Sequence, residues 1–202
     1  MSNAIFRVPK AVNEPVKAYA PGSSERMMLK AAIAELKAVQ VDIPMFIDGK
    51  EVRTGKTVAI HPPHELSHTL GHYHQGDAGH VKMAIDAALK AKAQWENTSW
   101  EERAAIFLKA ADLLTGPYRY KMNAATMLGQ SKNAFQAEID SACELIDFWR
   151  FNVEFMTQVY SDQPESLPGM WNRMEHRALE GFVFALSPFN FTSIGGNLPT
   201  AP

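Results

Sequence analysis

Cysteine is nearly absent: among 202 residues there is one, Cys143. A single thiol cannot close an internal disulfide, and this usage fits a reducing, cytoplasmic setting. An excess of charge of one sign is lacking too. Lys and Arg number 20 against 22 Asp and Glu, for a formal net charge of −2. That balance argues against nucleic acid or a membrane surface as the main partner. No apolar run approaches the length of a membrane span. The opening MSNAIFRVPKAVN lacks the apolar core and small-residue cleavage site of a signal peptide, and is too short and weakly basic for a transit peptide. Internal repeats and low-complexity tracts are also lacking. What remains, 46% hydrophobic and 21% charged, is ordinary for a globular chain long enough to close a core.

The elements that are present alternate in type. Residues 1–22 hold Pro9, Pro15 and Pro21 without periodicity and read as an extended arm on the surface. Ser23 or Ser24 caps a helix with Met28, Ala32, Ile33 and Leu36 on one face. Residues 43–75 read as β, with Asp48-Gly49 as the two-residue turn of a hairpin. Four helices are expected next. Val81, Ile85, Ala88 and Leu89 mark the first, and Ser99-Trp100-Glu101-Glu102 is a capping box for the second. The third covers roughly 119–129. The fourth runs from about Ala134 to Tyr160, with Phe135, Ile139, Ala142, Cys143, Ile146 and Trp149 on its buried stripe. Met170–Ala178 alternates weakly as a strand and leads into an apolar strand, Phe182–Leu186.

Six of the seven histidines fall between His61 and His80. His72 and His74 would share a strand face, one way to hold a metal. No cysteine or carboxylate stands at ligand spacing among the close pairs, so ordinary surface histidines are the better reading and no metal site is expected.

The last stretch, GFVFALSPFNFTSIGGNLPTAP, carries the clearest chemical signal. An apolar strand breaks at Ser187-Pro188 and delivers Asn190 between Phe189 and Phe191. An amide presented at a strand's carboxyl edge can donate to a developing oxyanion. On pattern alone, a buried turn with a structural Asn is the better reading. Glu144 lies in or beside the buried stripe of the long helix, where an unpaired carboxylate is costly, and reads on pattern as a structural ion pair with Arg150 or another base.

SPFNF followed by IGGN resembles the oxyanion turn of the aldehyde dehydrogenase superfamily, in the spelling of its Δ1-pyrroline-5-carboxylate dehydrogenase branch. NEPV at Asn13–Val16, GSSER at Gly22–Arg26, FLKAADLLTGP at Phe107–Pro117 and QAEIDSACELIDFWRFN at Gln136–Asn152 resemble the same branch in the same order. The likeness runs from about Asn13 to the end.

The resemblance implies an α/β fold: the amino-terminal part of the aldehyde dehydrogenase architecture, with a helix-rich outer layer, hairpins and the first strand of an incomplete Rossmann-like sheet. It divides the chain into an arm (1–22), a helical and hairpin part of the NAD-binding domain (23–157), oligomerisation strands (158–180) and a first core strand with the oxyanion turn (181–202). It makes Asn190 the catalytic oxyanion donor. Glu144 would face the substrate's amino group, Phe191 its aliphatic chain, and Leu186, Ser187, Pro188 and Phe189 the nicotinamide half of NAD. The substrate would be glutamate γ-semialdehyde, in proline degradation, and the protein a homo-oligomer. Cys143 is not the family's nucleophile. That cysteine, the general-base Glu and the lysine strand for the cofactor ribose belong to segments after Pro202, so the 202-residue chain alone is expected to be inactive. The other reading is a non-catalytic oligomerisation or binding module derived from the same fold.

Overall fold

Polar caps set the helix boundaries in the computed structural model, which describes residues 4–197 and 200–201. The Ser23 hydroxyl accepts from the Arg26 amide at the start of α1 (Ser24–Ala38). Three short strands follow: β1 (Val41–Ile43), β2 (Met45–Ile47) and β3 (Lys50–Val52). β2 and β3 form the expected hairpin, with Asp48 and Gly49 at φ 53° and 70°, the left-handed pair that a type I′ turn requires. β4 (Thr57–Ile60) and β5 (Gly71–His74) pair antiparallel, and β1 joins β5 in parallel, giving the order β1-β5-β4. β1 was not foreseen, because a three-residue strand carries no periodicity to read.

Four helical segments build the rest of the scaffold. Asp77 caps α2 (Ala78–Glu96), and Ser99 with Glu102 forms the expected capping box on α3 (Trp100–Thr115). α4 covers Arg119–Gln130 and ends on Ser131 in the left-handed region, φ 56°. The long helix is real but interrupted. It runs as α5 (Ala134–Ala137), a π-helical turn (Glu138–Cys143) and α6 (Glu144–Ser161). One core joins α3 to α6 through Ala111, Leu114, Ala142, Leu145 and Ile146. A second joins α1 to α4 through Leu29 and Ala124, with Tyr19 of the arm inserted.

Several expectations need correction. The arm has no helix or strand over residues 4–20, as expected, yet it is not merely laid on the surface: Ala11, Glu14 and Tyr19 are buried. Phe135 is 62% exposed, because the π turn rotates the residues before it away from the stripe that Ala142 and Ile146 follow. α2 buries no residue among those described, so its apolar face is open. Gln158–Tyr160, expected as strand, lies inside α6. Residues 162–193 contain neither helix nor strand, so the strands expected over 170–178 and 182–186 are not formed. A strand exists only as a ladder, and among the described residues no backbone–backbone hydrogen bond joins residues 171–178 or 182–186 to a neighbouring segment.

Candidate functional site

The site grows from a buried charge network at the π turn. Arg119 and Glu138 are both fully buried and ion-paired. Arg119 also pairs with Glu14 of the arm, and its Nη2 donates to the Pro15 carbonyl at 2.9 Å. Glu138 accepts from the Tyr19 hydroxyl at 2.6 Å, Asn123 Nδ2 at 2.8 Å and the Lys17 amide at 2.8 Å. Burial by itself would push the Glu138 carboxyl up. The bonds from Arg119, Tyr19 and the Lys17 amide outweigh it and hold that carboxyl below its ordinary range. Such a cluster is tolerable in a core only because every charge has a partner.

Cys143 sits inside this network, with Arg119 Nη2 at 3.4 Å and the Glu138 carboxylate at 3.7 Å. Burial, then the Glu138 charge, pushes its thiol up to about 12. A thiol held neutral in a closed core is no nucleophile at neutral pH, which agrees with the expectation that it is not catalytic.

The carboxylates following the π turn face outward. Glu144 lines an open cavity of about 320 Å³ with Asp147, Phe148, Phe151, Asn152, Phe155 and Ile194. The alternative ion pair with Arg150 is not made: Arg150 Nη1 lies 2.8 Å from Glu14 instead. Partial burial, then the charges of Asp140 and Asp147, raises the Glu144 carboxyl, against a weaker opposing pull from Lys132. Asp147 is itself engaged, accepting from Asn13 Nδ2 and the Glu14 amide at 2.7 Å each. Glu144 is thus a carboxylate at a cavity wall, beside three phenylalanines, with no side-chain hydrogen bond among the described residues.

The Asn190 turn docks on the same face. Asn190 and Phe189 are exposed, the latter 97%. The Asn190 carbonyl accepts from Lys132 Nζ at 2.7 Å, and that ammonium stands 4.5 Å from the centre of the Phe191 ring. The Ser193 hydroxyl donates to the Ser141 carbonyl of the π turn at 2.9 Å. A 3₁₀ turn, Ile194–Asn197, then brings Ile194 to the cavity that Glu144 lines. Gly195 lies so near the break that a Cβ there would stand 3.0–3.2 Å from Ser187 and Pro188. Leu186 is 79% exposed, and the main chain of residues 186–189 makes no backbone hydrogen bond among the described residues. Asn190, Phe191 and Glu144 therefore converge around the π turn, while Leu186–Phe189 form an open rim leading to it.

Sequence reasoning missed Gln130, Lys132 and Asp140, whose partners lie up to 62 positions away in the chain (Gln130 to Thr192) and leave no local mark. It also missed Glu138. There a signal existed, because Glu138 shares the four-residue spacing of Ala142 and Ile146, and a carboxylate on an apolar stripe demands a buried partner. Of the two suspect histidines, His74 is structural. Its Nδ1 accepts from the Thr54 and Gly55 amides at 3.0 and 3.2 Å, and its Nε2 faces Asp42 at 2.9 Å.

This scaffold of outer helices and hairpins carrying an amide-bearing turn has a known home. A profile of the Aldehyde dehydrogenase family matches residues 50–198, and the chain belongs to that family. Within it, the chain is 53% identical over 201 residues to the Delta-1-pyrroline-5-carboxylate dehydrogenase of Agaricus bisporus, and 45% identical over 193 residues to the mitochondrial Delta-1-pyrroline-5-carboxylate dehydrogenase of Homo sapiens. The first comparison covers 98% of this chain and 37% of the relative; the second covers 96% and 34%. The crystal structure of the Mycobacterium tuberculosis Delta-pyrroline-5-carboxylate dehydrogenase bound with NAD superposes with a TM-score of 0.95 at 50% identity, over 98% of this chain and 37% of that one. The α/β expectation, as the amino-terminal part of this fold, is borne out.

Proposed function

We propose that this chain supplies the amino-terminal part of an NAD-dependent dehydrogenase that oxidises L-glutamate γ-semialdehyde, from Δ1-pyrroline-5-carboxylate, to L-glutamate in proline degradation. The observation that carries the proposal is that the turn continuing from Asn190-Phe191 docks beside the Glu144 cavity, with Ser193 bonded to the π turn and Ile194 in the cavity wall. Asn190 is exposed, and its side-chain amide donates to the oxyanion that develops when the aldehyde carbon is attacked. Phe191 packs along the aliphatic chain. The unpaired Glu144 carboxylate receives the substrate's ammonium. When bound, the nicotinamide accepts hydride. The exposed, unpaired main chain of Leu186–Phe189 fits one wall of its pocket, and the sequence after Pro202 would supply the remainder. The nucleophilic cysteine and the general-base glutamate are assigned to that later sequence as well, because Cys143 is closed in the core.

In a polypeptide of the relatives' length that carries residues 1–202, Asn190→Ala is expected to lower kcat/KM about 10²–10³-fold. Its thermal midpoint should stay near wild type. Unchanged turnover would sink the assignment. The 202-residue chain alone is expected to turn over no semialdehyde, and activity abolished by Cys143→Ala would overturn that expectation.

A second reading, a non-catalytic association module, draws on one feature. Residues 162–193 expose Trp171, Leu179, Phe184 and Leu186 in an unpaired extended segment. We assign residues 158–180 to contact with a second subunit and propose a homo-oligomer, which either reading accommodates. The 1–22, 23–157 and 181–202 divisions are kept on the same footing; limited proteolysis tests them. The lone buried thiol suits a reducing compartment, and we propose the cytoplasm, although the human relative is mitochondrial by name. Fractionation of cells expressing a tagged chain would decide between the two.

A further inference from the structure

The Asn190 turn has no strand ladder to hold it, yet its main chain is bonded at every step from residue 190 to 192, and the Ser193 hydroxyl bonds beyond it. Gln130, with its amide oriented to satisfy both ends, accepts at Oε1 from the Phe191 and Thr192 amides at 3.1 Å each, and donates from Nε2 to the Asn190 carbonyl at 3.3 Å. Lys132 Nζ donates to that same carbonyl at 2.7 Å and to Asp140 Oδ2 of the π turn at 2.6 Å, and lies over the Phe191 ring. Both the Lys132 and Asp140 side chains are mostly buried, at 17% and 25% exposure, so this ion pair is less screened than a surface one. The ammonium has three donors and uses two of them here, with its cation against a π face as a third contact.

From this geometry we infer that Lys132 is a positioning residue: it clamps the Asn190-Phe191 turn to the π turn, so that the oxyanion donor and the Glu144 carboxylate keep a fixed separation. The inference rests on the function proposed above for its catalytic consequence, but its structural content stands apart from that function. A misplacement of about 1 Å at such a donor can cost about 10²-fold in rate. Because the oxyanion exists only after attack, a loosened donor lowers kcat and kcat/KM together and leaves KM in place.

Two readouts test the clamp. In the 202-residue chain, hydrogen exchange of residues 189–193 should speed up in Lys132→Met and return to the wild-type rate in Lys132→Arg, which keeps the charge and the donors. In a polypeptide of the relatives' length carrying residues 1–202, Lys132→Met should lose about 10- to 100-fold in kcat at unchanged KM for the semialdehyde, with Lys132→Arg restoring most of it. If circular dichroism shows Lys132→Met to be unfolded, Lys132→Gln takes its place. Wild-type exchange at 189–193 in the variant overturns the clamp. So does a raised KM with unchanged kcat. A wild-type long polypeptide that turns over no semialdehyde defeats the proposed function instead, while the exchange result still decides the clamp.

Discussion

At the scale of single residues, the informative groups are those that ionise where water does not reach. Glu138 and Arg119 are fully buried and mutually paired, so removing one charge leaves the other stranded. Glu138→Gln keeps the shape and loses the charge, and should cost about 3–5 kcal/mol, read as a lower urea midpoint at neutral pH. The same carboxyl fixes a pH dependence. Its folded-state value lies below the ordinary 4.5, so the folded state favours the ionised form. The stability it contributes is complete above the ordinary value and is lost as pH falls below it. Urea midpoints taken from pH 7 down to pH 3 should therefore decline at the acid end in wild type and decline less in Glu138→Gln. Glu144 has the opposite sign. Its carboxyl is raised, so its charge works against the fold above the ordinary range. Glu144→Gln should raise the thermal midpoint at pH 7 by about 1–2 °C. A clear fall would indicate that an unseen partner stabilises the charge. Cys143 gives a third test. Native protein at about pH 8 should resist iodoacetamide and react fully only in denaturant, because the thiolate is the reactive species and burial suppresses it. Fast native labelling, seen by mass spectrometry, would contradict the closed core around it.

At the scale of elements, close approach decides what sequence pattern leaves open. Gly71 begins β5 at φ +157°, and a Cβ there would lie 2.1 Å from the Val41 carbonyl oxygen, a backbone atom that cannot rotate aside. Gly71→Ala should therefore separate β1 from β5 and cost about 2 kcal/mol or more, measurable by urea titration. Stability within a few tenths of wild type would show that β1 contributes little. The π turn is the second such element. One extra residue in the turn points Glu138 into the core and Asp140 and Glu144 toward the turn and cavity, serving a structural ion pair and an open carboxylate within seven residues.

At the scale of the molecule, burial is uneven. The charge network and two small clusters are closed, while α2 buries nothing and Trp171 is 88% exposed beside an unpaired apolar segment. An exposed apolar segment of that kind packs against another chain when it can. Light scattering on the 202-residue protein should report a species heavier than the 22.5 kDa monomer. A monodisperse monomer would count against association through this segment.

The sequence by itself determined what depends on near neighbours. Ser23 and the Ser99 box declared their caps through side chains that bond within three residues, Asp48-Gly49 declared its turn through left-handed backbone, and the positions of the helices followed from apolar spacing. SPFNF and IGGN declared the family through their spelling. Tertiary structure alone decided the rest. The strand at Phe182–Leu186 needs a ladder partner, which no local pattern supplies, and its apolar residues stand exposed instead. Phe135 fell off the stripe because a π turn shifts the helical phase, and 3.6-residue counting cannot see that shift. Arg119 and Lys132 look like ordinary surface charges in the chain, and Glu138 shows only its place on the apolar stripe, not its partner. They became the frame of the site because partners 8 to 121 positions away cancel the cost of burying them.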